Sequence, residues 1–131
     1  MTCEIRCHLS VVGPDHTFAD QLMNRLAGGT AFESRQGSVI WRLRAEGEFA
    51  SLSGALGAIL SEVDAANEEF SRITREFQTK QWVTIAVELP FGEEVPDGHL
   101  EVATLAKMCA LGIALDIDLQ MVESSKPLSS D

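Results

Sequence analysis

Residues 110–121 read Ala-Leu-Gly-Ile-Ala-Leu-Asp-Ile-Asp-Leu-Gln-Met, and this stretch decides the fold class. The Leu111-Gly112 pair is typical of the end of a helix. After it, Ile113, Leu115, Ile117, Leu119 and Met121 fall on one side of the chain, and Ala114, Asp116, Asp118 and Gln120 fall on the other. This alternation predicts a β-strand with one buried face and one face in contact with water.

Other segments show the same alternation of apolar and polar residues. They are residues 3–11, 38–45 and 81–89. Residues 30–35 form a shorter candidate strand, which Gln36-Gly37 joins to residues 38–45 as a predicted hairpin. The chain therefore contains four or five strands.

The segments between the strands carry apolar stripes at helical spacing. The first helix is predicted from Phe18, Leu22 and Leu26, with Thr17 as its N-cap and Gly28-Gly29 as its end.

The second helical region runs over residues 49–77, and we expect it to break near residues 64–67, where small residues interrupt the stripe. A coiled-coil seam is the alternative interpretation of this region. For the last helix, Asp97 is the predicted cap. The predicted buried stripe of this helix comprises Val102, Leu105, Ala106 and Cys109.

Since every strand has one apolar face, the pattern predicts an α+β two-layer sandwich: a mainly antiparallel sheet of four or five strands with helices packed on one face. At 131 residues the chain is expected to form a single domain over residues 1–122, followed by a polar C-terminal tail over residues 123–131.

The charge balance bears on possible partners. With 20 acidic and 10 basic residues, the formal net charge is −10. Such a charge repels phosphate backbones and anionic lipids, so neither nucleic acid nor a membrane is a predicted partner. It favours solubility, and it would speed encounter with a basic protein.

The cysteines and the first residues indicate a compartment. Cys3, Cys7 and Cys109 lack the spacing of a metal site, and Cys7 and Cys109 are expected on the apolar faces of their elements. No leader is visible, because a strand pattern begins within two residues of Met1. We therefore predict a cytoplasmic protein. We also predict no cofactor.

The last fifty residues of the chain resemble a known family. A strand, a loop rich in Pro and Gly, a helix ending in Leu-Gly and the segment L-D-I-D-L are similar to the family called domain of unknown function 4279. The matching residues are Leu111, Gly112, Leu115, Asp116, Ile117, Asp118 and Leu119. Residues 12–15 and 37–41 resemble earlier parts of that family. The resemblance implies a small bacterial or phage protein and, by analogy, an immunity or inhibitor role.

Asp116 and Asp118 are the strongest candidates for chemistry by residue type. Side chains at i and i+2 leave a strand on the same side, and His8 could join them from a neighbouring strand to hold a hard metal ion. The alternative is that both aspartates belong to a solvated face and pair with nearby arginines, which stabilises a sheet only weakly.

A second candidate is a surface for a protein partner. Trp82, Arg42 and Arg44 share strand faces that are otherwise polar, and these residue types are enriched at interaction hot spots. The alternative for Trp82 is that the tail or the loop over residues 90–98 covers it. The acidic residues that we expect at this partner surface are Glu68, Glu69, Glu93 and Glu94.

These observations lead to three hypotheses. The first is a non-enzymatic acidic protein-binding domain, of inhibitor or immunity type. The second is a small ligand-binding domain, metal-binding domain or enzyme that uses His8, Asp116 and Asp118. The third is a homo-oligomeric structural module, such as a homodimer.

Overall fold

The computed structural model describes residues 3–123, in which five strands and four helices alternate. In chain order the elements are β1 (Glu4–Gly13), α1 (His16–Arg25), β2 (Thr30–Glu33), β3 (Val39–Arg44), α2 (Leu52–Asp64), α3 (Asn67–Glu76), β4 (Lys80–Pro90), α4 (Val102–Ala110) and β5 (Ala114–Val122). The predicted α+β fold, with helices packed against one sheet, is confirmed. The predicted tail over residues 123–131 lies outside the described residues from 124 onward.

The strand order in the sheet is β2-β3-β1-β4-β5. The pairs β2–β3, β3–β1 and β1–β4 are antiparallel, whereas β4 and β5 are parallel, so the sheet is mixed. The first four strands have the βαββαβ order of ferredoxin-like domains, with α2 and α3 in place of the second helix. The α4–β5 unit extends that arrangement at one edge, through the crossover that a parallel pair requires.

The core lies between the helices and the central strands. Odd-numbered side chains of β1 and β4 are buried, as the alternation predicts, and Trp41 of β3 is fully buried. Phe18 of α1 and Phe70 of α3 complete the packing. The predicted break in the long helical region is confirmed, because α2 ends at Asp64 and α3 begins at Asn67.

Two predicted helix caps are wrong. The N-cap of α1 is Asp15, whose carboxylate accepts a hydrogen bond from the Thr17 N–H at 2.9 Å. The N-cap of α4 is Glu101, and the Asp97 carboxylate instead accepts from the His99 N–H, at 2.9 Å, before the helix begins. Thr, Asp and similar residues are common in turns as well as at helix N-caps. The sequence pattern alone therefore does not show which nearby residue begins the helix.

The predicted burial of the last helix and strand is also largely wrong. On α4 only Met108 is buried, at 3% exposure, while Leu105 is 43% and Val102 is 81% exposed. Ile113, just before β5, is buried, whereas on β5 itself Ile117 is 49% exposed and Leu119 and Met121 are 52% exposed each. The sheet is therefore covered over β1, β3 and β4 but not over the far half of β5.

Trp41 provides a test of the packing. A Cβ at Gly29 would lie 2.3 Å from Trp41 Nε1, whereas a Cβ at Gly57 within α2 would contact nothing within 4 Å. We expect Gly29→Ala to lower the free energy of unfolding by about 1–3 kcal/mol, because the indole must move within a dense core. Gly57→Ala is the matched control and should raise the free energy of unfolding by about 0.5–1 kcal/mol, because alanine favours a helix. Urea denaturation measures both, and equal effects would contradict the packing described.

Candidate functional site

The sheet face opposite the helices, here called the open face, carries the side chains that the sequence indicated for chemistry. The strand registers place Arg44, His8, Thr84 and Asp116 in one row across β3, β1, β4 and β5. Asp118 lies in the next row, beside Ala86 of β4. Since adjacent strands are about 4.8 Å apart, the backbones of His8 and Asp116 are about 10 Å apart.

His8 lies among opposing charges. Partial burial lowers the pKa of its imidazole, the guanidinium groups of Arg42 and Arg44 lower it further, and the carboxylate of Asp116 acts in the opposite direction. The effects of burial and of the two arginines are the larger, so the pKa of His8 is lowered and the neutral imidazole is favoured. A neutral imidazole can accept a proton, but no described cavity encloses it.

Arg42 is held in place by its neighbours. Its Nε donates to Ser10 Oγ at 3.3 Å, and its guanidinium carbon lies 5.1 Å from the centre of the Phe32 ring. Ser10 is fully buried between Arg42 on β3 and the half-buried Trp82 on β4. Trp82 lies near the start of β4, at the opposite end of the strand from the loop over residues 91–98.

The structure separates the residues predicted for a partner surface. Trp82, Arg42 and Arg44 share the open face, but Glu68 and Glu69 are on α3 in the helix layer. The Glu69 carboxylate accepts from Arg72 Nη2 at 3.0 Å, and this hydrogen bond lowers the pKa of Glu69.

The other two predicted acidic residues, Glu93 and Glu94, are exposed in the loop after β4. The seven residues therefore do not form one surface.

The part of the chain that the structure describes brings no metal site together. Over residues 3–123, no three His, Cys, Asp or Glu side chains are grouped so that they could hold a metal ion. Asp116 and Asp118 are exposed and share a strand face, but His8 lies two strands away.

Two cavities lie elsewhere. One of about 640 Å³ is bordered by residues 3–6 and 47–50, and Arg6 within it is paired with Glu88. A smaller cavity of about 230 Å³ is lined by residues 109–112 together with Ser71, Thr74, Arg75 and Gln81. None of the predicted site residues lines either cavity.

The cysteines differ in their surroundings. Cys7 is buried, and burial raises the pKa of its thiol to about 12. Cys109 was predicted to lie on the buried face of its helix, and this is wrong, because the structure places it at the surface. All three cysteines are free thiols.

The most distinctive surface is one that the sequence interpretation assigned to the core. We call the exposed apolar residues of α4 and β5 the apolar strip: Val102, Leu105, Ile117, Leu119 and Met121. Among the large apolar residues, exposure rises from Met108 through Leu105 to Val102 on α4, and from Ile113 to Ile117, Leu119 and Met121 along β5. Phe91 is also exposed, and its N–H donates to the Val122 carbonyl at 3.1 Å, so the backbone pairing of β4 with β5 extends to residue 91.

Sequence reasoning missed the apolar strip because alternation indicates which side chains share a face and not what covers that face. The available signal was the pair Asp116 and Asp118, since charged residues are frequent on edge strands. β5 is an edge strand of the sheet.

The comparisons with known proteins are limited. No protein-family model matches the chain, and no curated protein matches it, so the resemblance to domain of unknown function 4279 stays a prediction. One solved structure with partial similarity is a formyltetrahydrofolate deformylase from Pseudomonas syringae pv. tomato strain DC3000, with a TM-score of 0.33 and 14% identity. The match covers 66% of this chain and 31% of the deformylase, so this chain spans about a third of that protein. In residues 3–123, no helix has the length and apolar character that crossing a bilayer would require.

The charges around His8 predict its titration. We expect an NMR pKa for His8 below the usual value of about 6.5, a further decrease in Asp116→Asn and an increase in Arg44→Gln. Because the folded state binds the proton less readily than the unfolded state, stability should fall as the pH drops from about 6.5 through the lowered pKa. A His8 pKa that is unchanged in both variants would contradict this arrangement of charges.

The cysteines should react at different rates. At pH 8, iodoacetamide should modify Cys109 readily and Cys7 at least about a hundredfold more slowly, because Cys7 is buried and protonated. Peptide mass mapping at successive times measures the order. In denaturant the two rates should converge, and a Cys7 as reactive as Cys109 in the native protein would contradict its position in the core.

Proposed function

We propose that this chain is a non-enzymatic protein-binding domain that contacts its partner through the apolar strip. The observation that carries the proposal is the exposure of Ile117, Leu119 and Met121, three large apolar side chains in a row that remain about half exposed on one edge strand. Contiguous exposed apolar surface of this kind is typical of protein interaction sites.

The surroundings of the apolar strip support a protein as its partner. An interface core of apolar side chains with a polar rim is the usual composition of a specific protein contact. Here Asp116, Asp118 and Gln120 project from the same strand on the open face, opposite the apolar side chains, so a partner that meets the edge of the strand contacts both sets. The strip also lies on regular elements, so little conformational entropy is lost when a partner binds.

The net charge favours a basic partner. A charge of −10 accelerates encounter with a positively charged protein and makes that encounter sensitive to salt. The form of binding that we propose is inhibition, of the immunity type that the family resemblance implies by analogy. We place the protein in the cytoplasm, and its three free thiols support a reducing compartment.

The other two hypotheses stay predictions. A metal-binding or ligand-binding domain is less well supported, because His8 and Asp116 are two strands apart and line neither cavity. A homodimer would use the same edge strand, and the experiment below distinguishes it.

Matched variants test the role of the apolar strip. The immobilised chain, Leu119→Lys and Met23→Lys are each exposed to extract of the native host, and retained proteins are then purified and titrated individually. Leu119→Lys places a charge in the strip, whereas Met23→Lys changes a residue of similar exposure, 45%, on α1. We expect a partner that binds the unaltered chain and Met23→Lys equally and Leu119→Lys at least about tenfold more weakly.

Inhibition is tested by assaying the purified partner with and without the chain. Loss of the partner's activity on binding supports the immunity role, and unchanged activity contradicts it. Equal binding by Leu119→Lys and Met23→Lys would contradict the role of the strip, and a doubled mass of the chain alone in light scattering would favour the homodimer.

A further inference from the structure

The outer edge of β5 carries backbone groups that no described strand pairs. The Val122 carbonyl accepts from the Phe91 N–H, so the backbone of Val122 points toward β4. Because successive residues of a strand direct their N–H and C=O groups to opposite edges, the odd-numbered residues point away from β4. These residues are Leu115, Ile117, Leu119 and Met121.

We infer that the partner binds by adding a strand to this edge, and that its segment alternates apolar and basic residues. This inference rests on the proposed function and specifies its mode of recognition. Backbone hydrogen bonds to the free edge would supply affinity, as in other complexes in which a peptide extends a sheet. Side chains on the two faces of the added strand would supply specificity.

The apolar residues of the partner's segment are inferred from the side chains of β5 on the helix side of the sheet. An added strand would place every second side chain beside Ile117, Leu119 and Met121, which are half exposed. Covering them removes apolar surface from water, so apolar residues are favoured at those positions of the partner.

The basic residues of the partner's segment are inferred from the side chains of β5 on the open face. The alternate side chains of the added strand would lie beside Asp116 and Asp118, which are exposed. Within residues 3–123 neither aspartate has an ion pair, and the described hydrogen bond at Asp118 comes from Gln120 Nε2 at 3.3 Å. Oppositely charged side chains on neighbouring strands are stabilising, so lysine or arginine is favoured there.

The same charges disfavour a second copy of this chain. In a register centred on Ile117, two β5 strands paired across a two-fold axis would place Asp116 and Asp118 of one copy opposite those of the other, on strands about 4.8 Å apart. Like charges across a strand pair are destabilising, and each copy brings a net charge of −10. A basic segment would neutralise the negative charges of Asp116 and Asp118, whereas a second copy would double their number.

A synthetic peptide tests the inference with the full chain. The probe has nine residues, the length of β5, and alternates valine and lysine. Four further peptides are compared with it. One has glutamate in place of lysine, one has the same residues in a non-alternating order, and two carry backbone N-methyl groups, on the valines in one and on the lysines in the other. Fluorescence anisotropy measures binding at about 50 and about 300 mM salt.

We expect only an alternating basic peptide to bind, and to bind more weakly at the higher salt concentration. One of the two N-methylated peptides should bind at least about tenfold more weakly than the other, because in a strand only alternate N–H groups face β5. Equal binding of both N-methylated peptides, or of the glutamate peptide or the reordered peptide, would overturn the inference.

Protein variants locate the peptide on the chain. Asp116→Asn with Asp118→Asn should weaken binding at least about fivefold at low salt, whereas Glu62→Gln with Glu68→Gln changes the net charge equally on the helix layer and should not. Hydrogen exchange should show new protection at the amides of Ile117, Leu119 and Met121 and little change at Asp118 and Gln120, which face β4. Equal effects of the two double variants, or protection confined to another element, would overturn the inference.

The remaining outcomes separate this inference from the proposed function. If the host partner binds through the apolar strip but no peptide binds, strand addition is wrong and the protein-binding function stands. If neither binds, both are wrong. If the odd-numbered amides of β5 are already protected from exchange in the chain alone, the edge is occupied without a partner. A doubled mass in light scattering would then show that a second copy occupies the edge, and a single mass would show that the chain itself does.

Discussion

Burial of the apolar face of β1 beneath α2 is the contact on which the rest of this structure depends. Leu9 and Val11 are fully inaccessible to water, and Cys7 is nearly so, because β1 has β3 on one side, β4 on the other and the helix layer above. Each of these neighbours satisfies backbone groups of β1 or removes its side chains from water. A strand in this position anchors both halves of the sheet.

The protection that the helices supply decreases toward the β5 edge. α1 packs on β3 and α2 packs on β1 and β4, whereas α4 contacts α2 and buries only Met108. The last strand is therefore held mainly by its parallel hydrogen bonds to β4. Because no helix covers this end of β5, Leu119 remains half exposed, and the molecule has an apolar surface for a partner.

The open face has a different organisation. Several of its long side chains are held by neighbours, as Arg42 is by Ser10 and Phe32, and Arg6 is by Glu88. Such pairs add little stability on an exposed face, but they fix the orientation of long side chains. The exposed carboxylates of Asp116 and Asp118 differ, because they lie at the rim of the sheet beside the free edge.

The sequence by itself determined the element types, the α+β class, the break between α2 and α3 and the face on which each side chain of β1 and β4 lies, because periodicity is a local property of the chain. Only the tertiary structure decided the strand order, the parallel pairing of β5 and the exposure of the apolar strip. Alternation in residues 113–121 is the same whether a helix covers the apolar side or not. Cover depends on where α4 packs, and that is set by contacts between residues far apart in the chain.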